Sequence, residues 1–169
     1  MKQAYVIEFL ELFEQNGIEV IFDGGWGVDA LLGEQTREHA DLDIAVERKD
    51  MNKLRELLEN RGYKHESRND DQEYMFVLAD DSGHKIDIHS YEFDENHKNI
   101  WGIEYPNESL QGKGKIGDKQ VKCISPEWVV HFHCQYEPKQ KDIDEVKLLC
   151  QKFNLKIPEK YQKLIIIEK

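Results

Sequence analysis

The sequence lacks the features of several protein classes. Its three cysteines, Cys123, Cys134 and Cys150, are scattered, odd in number and without a CxxC pair, so they suggest no disulfide framework and favour a reducing compartment. No apolar run approaches the roughly 18 residues of a membrane span. The N-terminal segment also carries acidic residues where a signal peptide would be apolar. We therefore expect a cytoplasmic protein with no membrane partner.

Positive charge is also scarce. The 169 residues include 23 basic and 34 acidic side chains, which gives a net charge of −11. Such a surface repels nucleic acid and anionic lipid, so we expect no nucleic-acid partner. A nucleotide would need metal cations or local basic groups to bind. The length fits one compact domain, and the apolar residues are clustered enough to form a core.

The hydrophobic periodicity predicts an α+β fold. The predicted helices cover residues 3–16, a short segment ending near Gly33, 50–60 with Asp50 as N-cap, 126–136, 139–152 and a last helix from residue 158. The predicted strands cover 18–22, 42–46, 63–67, 73–79 and 84–90, and a smaller hairpin turns at Gly117-Asp118. Residues 92–112 are predicted to form a long loop or lid. Helices flank a mixed sheet in residues 1–124, and residues 125–169 form a C-terminal helical portion.

The first chemical signal is the pair Asp41 and Asp43 in the segment DLDI. Side chains alternate between the two faces of a strand, so both carboxylates project to one side while Leu42 and Ile44 point into the core. Like charges this close repel, and a divalent cation relieves that cost. Oxygen ligands favour Mg²⁺ or Mn²⁺. A solvated strand end would produce the same pattern.

The second signal is Asp87 in the segment KIDIH. Strand propensity disfavours an aspartate at the middle of a strand, so its presence requires a reason. If this strand pairs beside the one that carries Asp41 and Asp43, the three carboxylates converge. Asp87 could then be a metal ligand or a general base for a hydroxyl nucleophile. An exposed face of an edge strand is the alternative.

The third signal is the segment GGWG, directly after one strand and before a helix. Glycines at Gly24 and Gly25 allow the backbone to turn sharply and to present amide N–H groups to a phosphate. The segment is neither a dinucleotide-binding GxGxxG nor a Walker loop. By itself it is equally consistent with an ordinary tight turn.

Together these signals resemble a known family. The segment DGGWGVDALLGEQTREHADLDIAV is similar to the core motif of the small antibiotic nucleotidyltransferases, which include lincosamide and aminoglycoside 2''-O-nucleotidyltransferases of the polymerase-beta-type superfamily. The similarity extends over residues 1 to about 160. It implies a nucleotidyltransferase core in residues 1–124 and an enzyme that moves an AMP unit from ATP, or another NTP, to a hydroxyl of an antibiotic.

The resemblance also implies roles for particular residues. Asp41 and Asp43 would bind two Mg²⁺ ions, and Asp87 would take the acceptor proton and could also contact a metal. The nucleotide would contact residues on the glycine turn, just before the DxD strand and on a C-terminal helix, namely Gly24, Gly25, Arg37, His39 and Lys141. Apart from the resemblance, the positions of four residues suggest contact with the antibiotic: His89, on the face of Asp87, and Trp101, Glu104 and Tyr105 in the 92–112 segment.

Several alternatives stay open at this point. The negative charge mildly favours a polycationic aminoglycoside over a lincosamide, but the motif resembles both groups. Minimal nucleotidyltransferase domains also serve as antitoxins that modify a protein partner, and a non-catalytic nucleotide-binding module is a third reading. The sequence leaves a homodimer open as the assembly.

Overall fold

The alternating helical and strand segments form one mixed sheet with helices packed against it. The computed structural model describes residues 1–167. Its helices are α1 (Gln3–Gln15), α2 (Gly24–Leu32), α3 (Arg48–Glu59), α4 (Pro126–His133), α5 (Gln140–Phe153) and α6 (Glu159–Ile167), with a 3-10 helix at Asn107–Gln111. Its strands are β1 (Val20–Phe22), β2 (Asp41–Glu47), β3 (Lys64–Glu66), β4 (Met75–Ala79), β5 (Lys85–Phe93), β6 (Asn99–Gly102), β7 (Gly112–Ile116) and β8 (Lys119–Cys123).

The sheet has eight strands in the order β3-β4-β5-β2-β1-β8-β7, and β6 pairs with the end of β5. The pairs β2–β5 and β1–β8 are parallel, and the others are antiparallel. The two central strands bury the side chains that the alternation predicts, Leu42, Ile44, Ile86 and Ile88. Their opposite face therefore remains for polar residues. This architecture confirms the predicted α+β class.

The C-terminal helices pack on the rest of the chain through α2. Both α4 and α5 contact this helix, which begins at the glycine turn. The division of the chain after residue 124 stays a prediction. No helix within residues 1–167 combines the length and the apolar character that crossing a membrane requires.

Three helix boundaries differ from the predictions. Asp50 does not cap α3, because the helix begins at Arg48 with Glu47 in the N-cap position and Asp50 lies in its first turn. Helix α4 ends at His133, before the predicted residue 136. Helix α2 begins at Gly24, so the two glycines form its first turn and no separate loop precedes it.

The prediction of a long loop over residues 92–112 is wrong. Strand β5 continues to Phe93, β6 returns beside it, and a 3-10 helix follows. The side chain of Asp94 closes the connection by accepting hydrogen bonds from the amides of Asn96 and Lys98 at 2.9 Å. This aspartate-centred turn was the sequence signal for the hairpin.

Candidate active site

The pairing of β2 with β5 brings the three predicted carboxylates together. In the parallel register Asp43 lies opposite Asp87, and Asp41 lies two residues earlier on the same face of β2. Neighbouring strands are about 4.8 Å apart, so the three side chains share one patch of the sheet. From the sequence, we expected the three carboxylates to converge only if these two strands were neighbours. The structure shows that they are.

The electrostatics of this patch favour a cation. Burial, together with the negative charges of Asp41, Asp23 and Asp87, raises the pKa of Asp43 to about 7. A raised pKa means that the ionised carboxylate is disfavoured where it stands. A divalent cation would offset this cost, and oxygen donors are the ligands that Mg²⁺ prefers. The donor set therefore fits the metal that the family implies.

Asp23 is a fourth carboxylate at the site, which sequence reasoning missed. It caps α2 by accepting a hydrogen bond from the amide of Gly24 at 2.7 Å. The hydroxyl of Tyr105 donates to its other oxygen, also at 2.7 Å. Burial acts to raise the pKa of Asp23, but its contacts with His89 and Tyr105 outweigh burial and lower it. The preference for aspartate at helix N-caps was the available signal.

The two glycines allow functional side chains to approach the first turn of α2. Gly24 has a φ of +52°, and a Cβ atom there would lie 2.7 Å from Cγ of Asp43. At Gly25 a Cβ atom would lie 2.6 Å from Nη2 of Arg37 and would overlap the ring of His39. Both positions therefore require glycine for steric reasons, which adds to the predicted role of their amides.

The predicted phosphate residues beside this turn are held by protein partners. Nε2 of His39 hydrogen-bonds the carboxylate of Asp29, and both side chains are almost fully buried. The guanidinium of Arg37 pairs with Glu145 of α5 at 2.8 Å. A cleft of about 710 Å³ lies beside Arg37 and His39. Lys141 is exposed in the first turn of α5, and its role stays a prediction.

Asp87 has two partners. Arg68, which sequence reasoning missed, donates hydrogen bonds from Nη1 and Nη2 to the two carboxylate oxygens at 2.6 and 3.3 Å. Nε2 of His89 lies 3.4 Å from the same carboxylate. Burial acts to raise the pKa of Asp87, but these two cations outweigh it and lower it. No periodicity marks Arg68, because it lies in the irregular segment between β3 and β4.

His89 links Asp87 to Asp23. Its ring lies 3.4 Å from the first carboxylate and 3.8 Å from the second, and the Tyr105 hydroxyl is 3.3 Å from Nδ1. Burial disfavours the charged ring, but the two carboxylates outweigh burial and raise the pKa of His89 to about 10. The protein thus places one cationic ring between two carboxylates beside the predicted metal ligands.

A pocket of about 330 Å³ opens next to these residues. Three of the four predicted acceptor residues line it, namely His89, Glu104 and Tyr105. Its other lining residues are Asp23 and Gly24 at the turn, Met75 and Ile103, and a wall from the α4 region formed by Val129, Phe132, His133 and Tyr136. This wall was missed because helical spacing alone does not show which face of α4 meets a cavity.

Trp101 does not belong to this pocket. It lies opposite Glu92 in the β5–β6 pair, and alternation puts Glu92 on the other face of β5 from Asp87 and His89. There the Trp101 ring contacts the guanidinium of Arg48, 4.3 Å from the ring centroid. The expectation that Trp101 faces the acceptor is therefore corrected, because it rested on an irregular loop that is in fact a strand.

A second group of metal-type ligands comprises His133, Asp142 and Glu145, whose ligand atoms lie within 4.8 Å of one another. Protein partners already balance these charges. Glu145 pairs with Arg37 at 2.8 Å and with Nε2 of His133 at 3.1 Å, and Asp142 accepts from the Lys139 amide at 2.7 Å. We therefore interpret this group as an ion-pair network that joins α4 and α5 to Arg37 in the segment between α2 and β2.

Replacing Glu145 with glutamine should lower the free energy of unfolding by about 2 to 4 kcal/mol, because it leaves the buried His133 and the partly buried Arg37 without their carboxylate partner. Burial acts to lower the pKa of His133, but its contacts with Glu145, the Val129 carbonyl and Asp142 outweigh burial and raise it. The contribution of the ion pair is therefore complete below the unfolded histidine pKa of about 6.5 and declines as pH rises through the raised folded value. Urea unfolding at several pH values measures both effects. Glu137→Gln, at a 91% exposed side chain, is the control and should change little.

The fold and this site define a class of protein. A strand, a glycine turn at a helix N-terminus, a DxD strand and a third aspartate on the neighbouring strand are the arrangement of a nucleotidyltransferase. The comparisons with known proteins agree. A family model described as aminoglycoside-2''-adenylyltransferase matches residues 5–149, and the chain belongs to this family.

The individual relatives include proteins that are named for lincosamides and a protein solved with a modified aminoglycoside. A lincosamide resistance protein of Staphylococcus haemolyticus is 32% identical over 150 residues, which cover 83% of this chain and 89% of the relative. The crystal structure of the lincosamide antibiotic adenylyltransferase LnuA, lincomycin-bound, has a TM-score of 0.77 and 28% identity and covers 88% of this chain and 96% of that one. The fold is also that of ANT(2")-Ia, solved with adenylyl-2"-tobramycin, with a TM-score of 0.71, 19% identity and coverage of 89% and 88%.

Proposed function

We propose that this protein transfers the nucleotidyl group of ATP, or another NTP, to a hydroxyl of a lincosamide-type antibiotic with the help of Mg²⁺. The observation that carries the proposal is the position of Asp41, Asp43 and Asp87. They gather on one face of the central strands, beside the helix N-terminus at Gly24 and next to a pocket for an acceptor. Family membership supports the same chemistry.

Asp41, Asp43 and Asp87 would hold the metal ions. When bound, Mg²⁺ neutralises charge on the triphosphate and on the leaving pyrophosphate. The amide of Gly25, at the positive end of α2, would bind a phosphate oxygen. The amide of Gly24 donates to Asp23 in this structure and would have to exchange that partner for phosphate. Arg37, His39 and Lys141 are the remaining phosphate residues in this proposal.

Asp87 performs the proton transfer in this proposal. In the metal-free site its carboxylate is ionised, since His89 and Arg68 outweigh burial and lower its pKa, and an ionised Asp87 can accept the proton of an acceptor hydroxyl. The hydroxyl oxygen then bonds to the α-phosphorus, and the bond from that phosphorus to pyrophosphate breaks. His89 holds Asp87 and Asp23 in place at the mouth of the pocket.

The lining of the pocket favours a lincosamide over an aminoglycoside. Ile103, Val129 and Phe132 form an apolar wall, while Asp23 and Glu104 supply carboxylates near it. An acceptor with both an apolar part and a cationic amine matches such a lining, whereas a polycationic aminoglycoside would leave the apolar wall uncovered. The aminoglycoside reading is the second candidate, because the matching family model and the net charge of −11 favour it.

An acceptor panel tests this choice. Purified protein is incubated with Mg²⁺, labelled ATP and either lincosamides or aminoglycosides, and labelled products are separated. We expect a labelled lincosamide, and label on an aminoglycoside alone would reverse the assignment. Label on a co-purified protein would favour the antitoxin-type alternative. ATP binding without any product would favour a non-catalytic module.

A homodimer also stays a prediction, which a measurement of the molar mass in solution tests.

Replacing Phe132 with alanine should raise the KM for the antibiotic roughly tenfold, because it removes apolar contact from the acceptor wall. The KM for ATP should stay within about twofold, since Phe132 lies on the acceptor wall and not beside the proposed phosphate residues Arg37 and His39. Trp101→Ala is the matched control, because this aromatic lies on the other face of the sheet. An increased antibiotic KM for Trp101→Ala but not for Phe132→Ala would place the acceptor elsewhere.

A further inference from the structure

Arg68 forms hydrogen bonds to Asp87, whose carboxylate the proposed reaction requires. Its two terminal nitrogens cover both oxygens of Asp87 at 2.6 and 3.3 Å. A divalent cation bound by Asp87 would therefore meet a guanidinium at hydrogen-bond distance. Two cations so close repel each other, and one carboxylate cannot give its full set of lone pairs to both. Binding of a cation at Asp87 thus requires Arg68 to move.

The structure contains a second partner for Arg68. Oδ1 of Asp71 lies 3.8 Å from Nε of Arg68, and both atoms are buried without a hydrogen-bond partner among residues 1–167. Oδ2 of Asp71 is held by the backbone amide of Arg68 at 2.8 Å and by Nε2 of His65 at 3.0 Å. Asp71 is therefore fixed, with Oδ1 unpaired and near the guanidinium. Oδ1 of Asp70 lies 3.4 Å from the same Nε, but its side chain is 66% exposed and is not buried against Arg68 as Asp71 is.

Two buried polar atoms left unpaired at this distance are costly, and a small movement would join them. In this structure Arg68 pairs with Asp87 through both terminal nitrogens, and its Nε remains 3.8 Å from Oδ1 of Asp71. A shift of its guanidinium away from Asp87 would exchange one carboxylate partner for another and satisfy both atoms. Arg68 thus has two alternative arrangements, which is the physical requirement for a switch.

We propose that Arg68 pairs with Asp87 while the site holds no divalent cation and moves to Asp71 when a cation binds. The inference rests on the proposed function, because the cation is the one assigned to the three catalytic carboxylates. Arg68 is a positioning residue in this account. It keeps the Asp87 carboxylate neutralised and oriented between turnovers, and it weakens cation binding by the cost of its displacement.

The test is a titration of the full-length protein with Mn²⁺ alone, followed by electron paramagnetic resonance of the free ion. Arg68→Gln removes the competing charge and should lower the Kd for Mn²⁺ roughly tenfold. Asp71→Asn removes the second partner and should raise the Kd roughly threefold. In the double variant Asp71→Asn should have little further effect, because Asp71 acts through Arg68.

Asp81→Asn is the matched control, since it removes one negative charge at an 87% exposed side chain and should bind Mn²⁺ as the wild type does. Circular dichroism verifies the fold of each variant. An unchanged or higher Kd of Arg68→Gln for Mn²⁺ would overturn the inference. It would also be overturned if Asp71→Asn changed the Kd for Mn²⁺ equally in the wild type and in the Arg68→Gln variant. Asp43→Asn separates the two claims. If Asp43→Asn binds Mn²⁺ as the wild type does, the metal site is not at these aspartates and the proposed function fails. If Asp43→Asn loses Mn²⁺ binding, the metal site is correct, and a negative result for Arg68→Gln refutes only the movement of Arg68.

Discussion

Replacing Asp43 with asparagine should reduce nucleotidyl transfer by at least about a thousandfold and at the same time raise the melting temperature of the metal-free protein. The loss of transfer follows from removing one of the two DxD carboxylates that would hold the metal. Electrostatic stabilisation of a transferring phosphoryl group commonly accounts for this much rate. The gain in stability follows from the raised pKa of Asp43.

The sign of the stability effect can be worked out. The folded pKa of about 7 lies above the ordinary aspartate value of 3.8, so the folded state holds its proton more tightly than the unfolded state. Stability therefore falls as pH rises from about 4 to 7, and the ionised carboxylate destabilises the fold at neutral pH. Asparagine removes that penalty, which we expect to be on the order of 1 to 3 kcal/mol.

Calorimetry in EDTA and in Mg²⁺ measures this effect, alongside the transfer assay. The advantage of Asp43→Asn should shrink in Mg²⁺, because the cation stabilises the wild type but not the variant. The control Asp81→Asn lies on the exposed turn between β4 and β5 and should change neither property. If Asp43→Asn transferred the nucleotidyl group as fast as the wild type, the assignment of Asp43 as a metal ligand would be refuted. If Asp43→Asn melted at a lower temperature than the wild type in EDTA, the proposed destabilisation by the ionised Asp43 would be refuted.

The second large effect is expected from Gly24→Ala. A methyl group at this position would lie 2.7 Å from Cγ of Asp43 and overlap its carboxylate, so the carboxylate must move. Displacement of a catalytic group by about 1 Å commonly costs a hundredfold. We therefore expect kcat/KM to fall at least about a hundredfold.

Gly17→Ala provides a control for backbone strain. Gly17 has a similar φ of +64°, but a Cβ atom there would meet nothing within 4 Å. Both variants should lose about 1 kcal/mol of stability, because alanine is strained at positive φ. Only Gly24→Ala should lose activity. Equal activities for the two variants would show that close approach of the helix to Asp43 is not needed.

Much of the site could be predicted from the sequence because strand alternation is a local rule. It placed Asp41 and Asp43 on one face and Asp87 on the same face as His89, and the structure shows both arrangements. Whether the two strands are neighbours is a property of sheet order, which no local pattern determines. The resemblance to a family supplied that information, and the β2–β5 register shows the predicted neighbours.

The missed residues depend on contacts between distant parts of the chain. Arg68 reaches Asp87 from an irregular segment, and Glu145 meets Arg37 across 108 residues of sequence. Phe132 enters the pocket wall through the packing of α4, which a hydrophobic stripe alone does not specify. Trp101 was misplaced for a different reason, because its segment was interpreted as a loop and its strand alternation was therefore never applied.

Anomalous diffraction from crystals grown with Mn²⁺ and a non-hydrolysable ATP analogue tests the central claim most directly. The account predicts manganese peaks in contact with the carboxylates of Asp41, Asp43 and Asp87, beside phosphate oxygens at the glycine turn. Peaks only at the second ligand group, His133, Asp142 and Glu145, would contradict it. Nucleotide bound at the glycine turn with no metal at the three aspartates would contradict it as well.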